Sequence, residues 1–181
     1  MPDSSSLTMI VILIVLVILS AYFSATETAF TSLNRIRLKS KADAGNRRAA
    51  LALRLVDQYD NLLSTILVGN NIVNLSASSL ATVFFTEGLR LQNGAVISTA
   101  VITIVVLIFG EVSPKSLAKE YPESFAMFSA PIMRILMVIL TPVNFLFSLL
   151  KKLLSMVFHK EGDSGITEEE LVTMVDQAEI E

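Results

Sequence analysis

The stretch Phe109-Gly110-Glu111-Val112-Ser113-Pro114-Lys115 decides how this chain is to be read. It closes an uncharged run, 91–110, long enough to cross a hydrocarbon core, which takes about 20 residues at roughly 1.5 Å rise. Proline at 114 has no N–H, so the carbonyl of Gly110, four residues back, loses its helical donor. A bare carbonyl oxygen is therefore expected beside the Glu111 carboxylate at a membrane boundary, where protein, water or an ion must satisfy it.

Two more runs of the same kind precede it, 4–26 and 61–86. The composition agrees: 52% of the 181 residues are hydrophobic and 17% charged, outside the usual balance for a soluble globular domain. The first run has Asp3 and no Lys or Arg before it and is longer than a secretory h-region, so it is read as a retained helix. Without cysteine there is no disulfide, thiolate metal site or Cys nucleophile, and the lone His159 cannot build a His-rich zinc site. No His-Glu-x-x-His pair or nucleophile elbow is present, so an enzyme is not expected.

Orientation follows from Lys and Arg, which collect in short cytoplasmic loops. Arg35, Arg37, Lys39, Lys41, Arg47, Arg48 and Arg54 lie between the first two spans, and only Arg90 between the next two. The N-terminus is expected outside, and everything after Lys115 and Lys119 in the cytoplasm. The apolar segment 125–158 is harder to place. Arg134 splits it, Pro131 and Pro142 are each expected to break a helix, and a crossing would carry Lys151, Lys152 and Lys160 outside. Helices lying in the interface or along the bundle are favoured, with a fourth crossing as the alternative. Beyond the polar hinge at 161–165, Thr167 and Glu170 form a capping box for an acidic amphipathic helix with Leu171, Met174, Val175 and Ala178 on one stripe.

The fold expected is thus all-α and integral to the membrane: three transmembrane helices with an ion site in 1–120, a juxtamembrane helical belt in 121–160, and a linker with a short cytoplasmic acidic helix in 161–181. Small residues such as Ser76, Ala77, Ser79 and Ala81 are expected to hold a twofold dimer by letting helices approach.

Polar groups inside the spans call for a functional reading. Ser20, Ser24 and Thr28 share one helix face, and Glu27 lies a turn from Ser24. Gly69-Asn70-Asn71 is a helix-weakening cluster, expected to interrupt its span, with Asn74 one turn on. Ser24 lies roughly 25 Å along the first helix from Leu7, and Asn70 about 13 Å in from Asn61, so both fall in the inner half of the bilayer with Glu111. Hydroxyl, amide and carbonyl oxygens with one carboxylate suit Mg²⁺, Ca²⁺ or Na⁺ and not soft metals. Packing roles compete with this reading: hydroxyls bonding their own helix, asparagines joining helices or protomers, Glu111 pairing with Lys115, and Glu27 sitting at the surface near Arg35.

Three motifs in order, Tyr22-Phe23-Ser24-Ala25-Thr26-Glu27-Thr28-Ala29-Phe30, Val68-Gly69-Asn70-Asn71-Ile72-Val73-Asn74 and 109–115, closely resemble the transmembrane domain of the CorC/cyclin M (CNNM) family over nearly the whole chain. The resemblance implies a homodimeric Mg²⁺ transporter of the bacterial inner membrane, Na⁺-driven and exporting in some members. It implies a cytoplasmic CBS-domain pair that binds ATP, beginning where this chain stops, so nucleotide binding is not expected of these residues. Its ion site corresponds to Ser24, Asn70, the Gly110 carbonyl and Glu111, with Ser20 and Asn74 as neighbours. A membrane-embedded Mg²⁺ sensor acting on another transporter would need the same site and is the alternative function.

Overall fold

A computed structural model describes residues 4–146 and residue 149; its elements fall in the first of two compact units, Met1–Phe145. The hinge and acidic helix expected after residue 160 lie outside the described residues. The order is α1 (Ser4–Ser32), α2 (Arg35–Asp43), α3 (Arg47–Val56), α4 (Tyr59–Val83) running into a π-helical turn (Phe84–Gly88), α5 (Gly94–Val105), a second π-helical segment (Val106–Val112), α6 (Ser113–Glu120) and α7 (Pro122–Ile139). The fold is all-α, as its charge-free runs require.

Among the described residues, four helical stretches are long and apolar enough to cross a membrane: Ser6–Ser32, Tyr59–Gly88, Gly94–Glu120 and Pro122–Ile139. α1 is central and packs on α4, on the second π segment with α6, and on α7. Its N-terminal half presents Leu7, Val11, Ile14 and Ile18 outward. Phe23, Ala25, Ala29 and Phe30, farther along, join Leu62, Ile66 and Val73 of α4 and Ala126, Ala130 and Met133 of α7 in the main core. Outward apolar side chains have a low-cost environment only in lipid, whereas the core forms where α7 adds a further layer.

Between α1 and α4 runs a short helical pair. Asn34 caps α2 through the N–H groups of Ile36 and Arg37 at 2.9 and 3.1 Å. Asn46 caps α3 through Arg48 and Ala49 at 3.0 and 3.1 Å. Gly45, at φ 90°, takes the left-handed turn between them that other residues adopt with strain. α3 buries Ala49, Ala52 and Leu55 and packs along α7.

Three local expectations are corrected. Gly69-Asn70-Asn71 does not interrupt its span, because α4 is continuous from Tyr59 to Val83. Gly69 serves close approach instead, since a Cβ there would fall 2.4 Å from the ring of Phe23 in α1. Pro131 does not break α7, which continues eight residues beyond it to Ile139; an internal proline costs one hydrogen bond, which flanking packing can outweigh. Finally, Ala77 and Ala81 are buried within the chain's own helices against Ile102, so of the four small residues expected at a dimer contact only Ser76 and Ser79 face outward.

The two ends of the α7 region are tied to one end of the bundle. Near its start, Glu123 Oε1 accepts the N–H of Asn34, just past α1. Beyond its end, Asn144 Nδ2 donates to Thr65 Oγ1 at 3.0 Å, about 9 Å along α4 from Tyr59.

Candidate ion site

Three helices bring the polar residues of the spans together. Ser20 on α1 donates through Oγ to Asn70 Oδ1 on α4 at 3.4 Å, and Asn74 Nδ2 donates to the same oxygen at 3.4 Å. Gly110, in the second π segment, lies against Ser20: a Cβ at Gly110 would come within 2.8 Å of Ser20 Oγ and 3.2 Å of its Cβ. The absence of a side chain at Gly110 is therefore a condition for this contact, just as it is for Gly69 on Phe23.

Ser24, one turn beyond Ser20, is fully buried. Its Oγ and the Oδ1 of Asn74 are buried oxygens with no hydrogen-bond partner among the described residues. Leaving such an atom unpaired costs about 1–3 kcal/mol, which a bound cation or water would offset. Asn74 and Glu111 both line a cavity of about 250 Å³, together with Ser78, Ile102, Thr103, Val106 and Leu107. Ser20, Asn70, Asn74 and Gly110 are thus linked directly, Glu111 joins them through this cavity, and Ser24 lies next along α1.

The charged neighbours are paired elsewhere. Lys115 Nζ meets Glu27 Oε2 at 3.2 Å, and Arg35 pairs with Asp57. Glu27 therefore sits with Lys115 and not with Arg35, and the expected competition of Lys115 for Glu111 is absent. Among the described residues Glu111 makes no ion pair. Thr28 bonds the Ser24 carbonyl at 3.1 Å, so its hydroxyl serves its own helix.

The backbone at Gly110 differs from the expected α-helix. Val106–Val112 is π-helical, and the N–H of Ser113 reaches the carbonyl of Ile108, five residues back. Pro114 is then the missing donor for Gly110 by α-helical count and for Phe109 by π-helical count. The sequence points to a missing donor at Pro114 but not to the widened turn, because i→i−4 and i→i−5 pairing have no distinct residue signature. Ser78 and Thr103 were also missed. Ser78 follows Asn74 by one turn on the same face, a usable signal, whereas Thr103 is placed only by the packing of α5 on α4.

The donor set is hard: side-chain oxygens from Ser, Asn and Glu, of the kind that suits Mg²⁺ or Na⁺. No group of three His, Cys, Asp or Glu that could hold a metal ion occurs among the described residues, and Glu111 is the carboxylate among the residues lining this cavity.

Residues 11–181 match the family of the cyclin M transmembrane N-terminal domain. The chain is 39% identical over 176 residues to a "UPF0053 protein" of Haemophilus influenzae, covering 94% of this chain and 41% of that protein. It is 39% identical over 166 residues to the "UPF0053 inner membrane protein YfjD" of Escherichia coli, covering 88% and 38%. An Arabidopsis thaliana chloroplastic "DUF21 domain-containing protein" is 31% identical over 175 residues, covering 93% and 26%. The chain spans about two fifths of the length of the two bacterial relatives. With helices long enough to cross a bilayer, and with the match running over nearly all its residues, this chain belongs to the cyclin M transmembrane domain family.

Proposed function

We propose that this chain is the ion-carrying membrane domain of a Mg²⁺ transporter of the bacterial inner membrane, working by alternating access with Na⁺ as the coupling ion for export. The observation carrying the proposal is the oxygen cluster between α1, α4 and the second π segment. There, among the described residues, two buried oxygens lack hydrogen-bond partners, and Glu111, in no ion pair, lines the adjoining cavity. Ser24, Asn70, the Gly110 carbonyl and Glu111 are the ligands in this reading, with Ser20 and Asn74 positioning Asn70. The inner-membrane location is carried over from the Escherichia coli relative's name. In the full-length protein a CBS-domain pair would bind ATP and sense the cytoplasm, and two protomers would form a dimer.

The reading has three crossings, made by α1, α4 and α5 to α6. Asn34–Glu123 and Asn144–Thr65 tie both ends of the α7 region to the end of the bundle where α1 stops and α4 starts. A helix crossing end to end would deliver Asn144 near Gly88 instead. α7 also lies along the arginine-bearing α3, which has no place in hydrocarbon.

The test is flux. Purified protein in liposomes, with imposed Mg²⁺ and Na⁺ gradients and no other protein, is expected to move Mg²⁺ and to respond to the Na⁺ gradient. Mg²⁺ binding without flux would overturn the carrier reading in favour of a sensor.

A further inference from the structure

Away from the ion site, α3 and α7 border a half-open cavity of about 280 Å³ lined by Arg47, Ala50, Leu51, Arg54 and Arg134. Arg47, Ala50, Leu51 and Arg54 are spaced i, i+3, i+4 and i+7, so they form one face of α3. Arg134 comes from α7, where its neighbours Ile132, Ile135, Val138 and Ile139 are all apolar and exposed. No carboxylate lines the cavity, and none of the three arginines makes an ion pair among the described residues. Arg47, Arg54 and Arg134, each exposed, thus bring three positive charges to the rim of one groove, and an anion bound there reduces their mutual repulsion.

We propose that this cavity is a binding site for the phosphate of an anionic glycerophospholipid. Guanidinium groups bind phosphate oxygens through paired N–H donors, and basic pockets between membrane helices hold acidic headgroups. A lipid is favoured over a soluble phosphate because the surface continues apolar from the arginines. Ile135 and Val138, at 60% and 70% exposure, follow Arg134 on the outer side of α7, where acyl chains would lie. Ala50 and Leu51 add a small apolar floor within the cavity. Such a lipid would join α3 to α7 and so fix the belt against the bundle. The site shares no residue with the ion site and does not depend on the transport reading.

The test uses the 181-residue chain in detergent, titrated with dioctanoyl phosphatidylglycerol and followed by native mass spectrometry. Saturable binding is expected, with dioctanoyl phosphatidylcholine and inorganic phosphate each binding far more weakly. Each arginine near an anionic headgroup accounts for about fivefold in affinity, so Arg47→Gln, Arg54→Gln and Arg134→Gln together should lower it roughly a hundredfold. Arg134→Lys keeps the charge but loses paired donation, and a loss of about twofold, smaller than that of removing the charge, is expected from this conservative change even if the triple variant fails to fold. Equal binding of phosphatidylcholine, or no effect of Arg134→Lys together with a folded triple variant that binds normally, would overturn the proposal. Inorganic phosphate binding as tightly as the lipid would reassign the site to a soluble anion. Displacement of the lipid by a peptide of residues 161–181 would reassign it to the chain's own acidic segment.

Discussion

Replacing Gly69 with alanine tests the contact between α1 and α4 on which the oxygen cluster depends. The added Cβ would lie 2.4 and 2.5 Å from two carbons of the Phe23 ring. Ordinary carbon contact begins near ~3.5 Å, so ring or helix must retreat by roughly 1 Å. Phe23 is only 7% exposed, which leaves the ring little room, and part of the displacement should pass into the helix spacing. Overpacking of this kind costs about 1–3 kcal/mol, while alanine returns about 1 kcal/mol of helix propensity, for a net loss between about zero and 2 kcal/mol. The net value is therefore a weak discriminator, and the coupling to Phe23 a strong one. In a double-mutant cycle measured by reversible unfolding in mixed micelles, Gly69→Ala combined with Phe23→Leu should recover at least about 1 kcal/mol relative to additivity. The same displacement would lengthen the Ser20–Asn70 bond, already 3.4 Å, so Mg²⁺ affinity measured by calorimetry should fall in Gly69→Ala and return in the double variant. Additive stabilities, with Mg²⁺ affinity unchanged in Gly69→Ala, would refute the argument that this glycine sets the distance between the two polar helices.

Glu111→Gln keeps the shape of the cavity wall but removes its carboxylate, and should weaken Mg²⁺ at least about tenfold, or roughly 1.4 kcal/mol, by calorimetry on the folded protein. Pro114→Ala restores a backbone N–H within reach of Gly110 or Phe109 by helical count; it should reduce Mg²⁺ affinity while leaving the helices intact by circular dichroism. Unchanged affinity in both variants would move the site elsewhere. Since the chain has no native cysteine, single cysteines at Asn46, Thr141 and Gln92 can report topology by membrane-impermeant labelling. The first two should react from one side and the third from the other; Thr141 reacting with Gln92 would establish a fourth crossing.

Much of this protein is legible in the sequence because lipid imposes simple rules. Charge-free runs of sufficient length had to become helices, and the polar residues within them stood out because hydrocarbon tolerates few. Ser20, Ser24, Asn70, Asn74 and Glu111 therefore stand out one by one, and counting turns puts Ser24, Asn70 and Glu111 in the same half of the bilayer. What the sequence could not carry was anything set by contact between helices. That Gly69 receives the Phe23 ring and Gly110 receives Ser20 depends on how closely α1 approaches its neighbours, a distance fixed by side chains remote in sequence. The partners of Glu27 and Lys115 follow from the same packing, which brings α6 onto α1 and frees Glu111. The continuity of α4 through Gly69-Asn70-Asn71 and of α7 through Pro131 shows neighbours overriding local propensity. The π-helical turn at Gly110 is likewise a tertiary outcome: proline announces that a hydrogen bond is missing, but only the surrounding helices decide whether the backbone widens to absorb the loss.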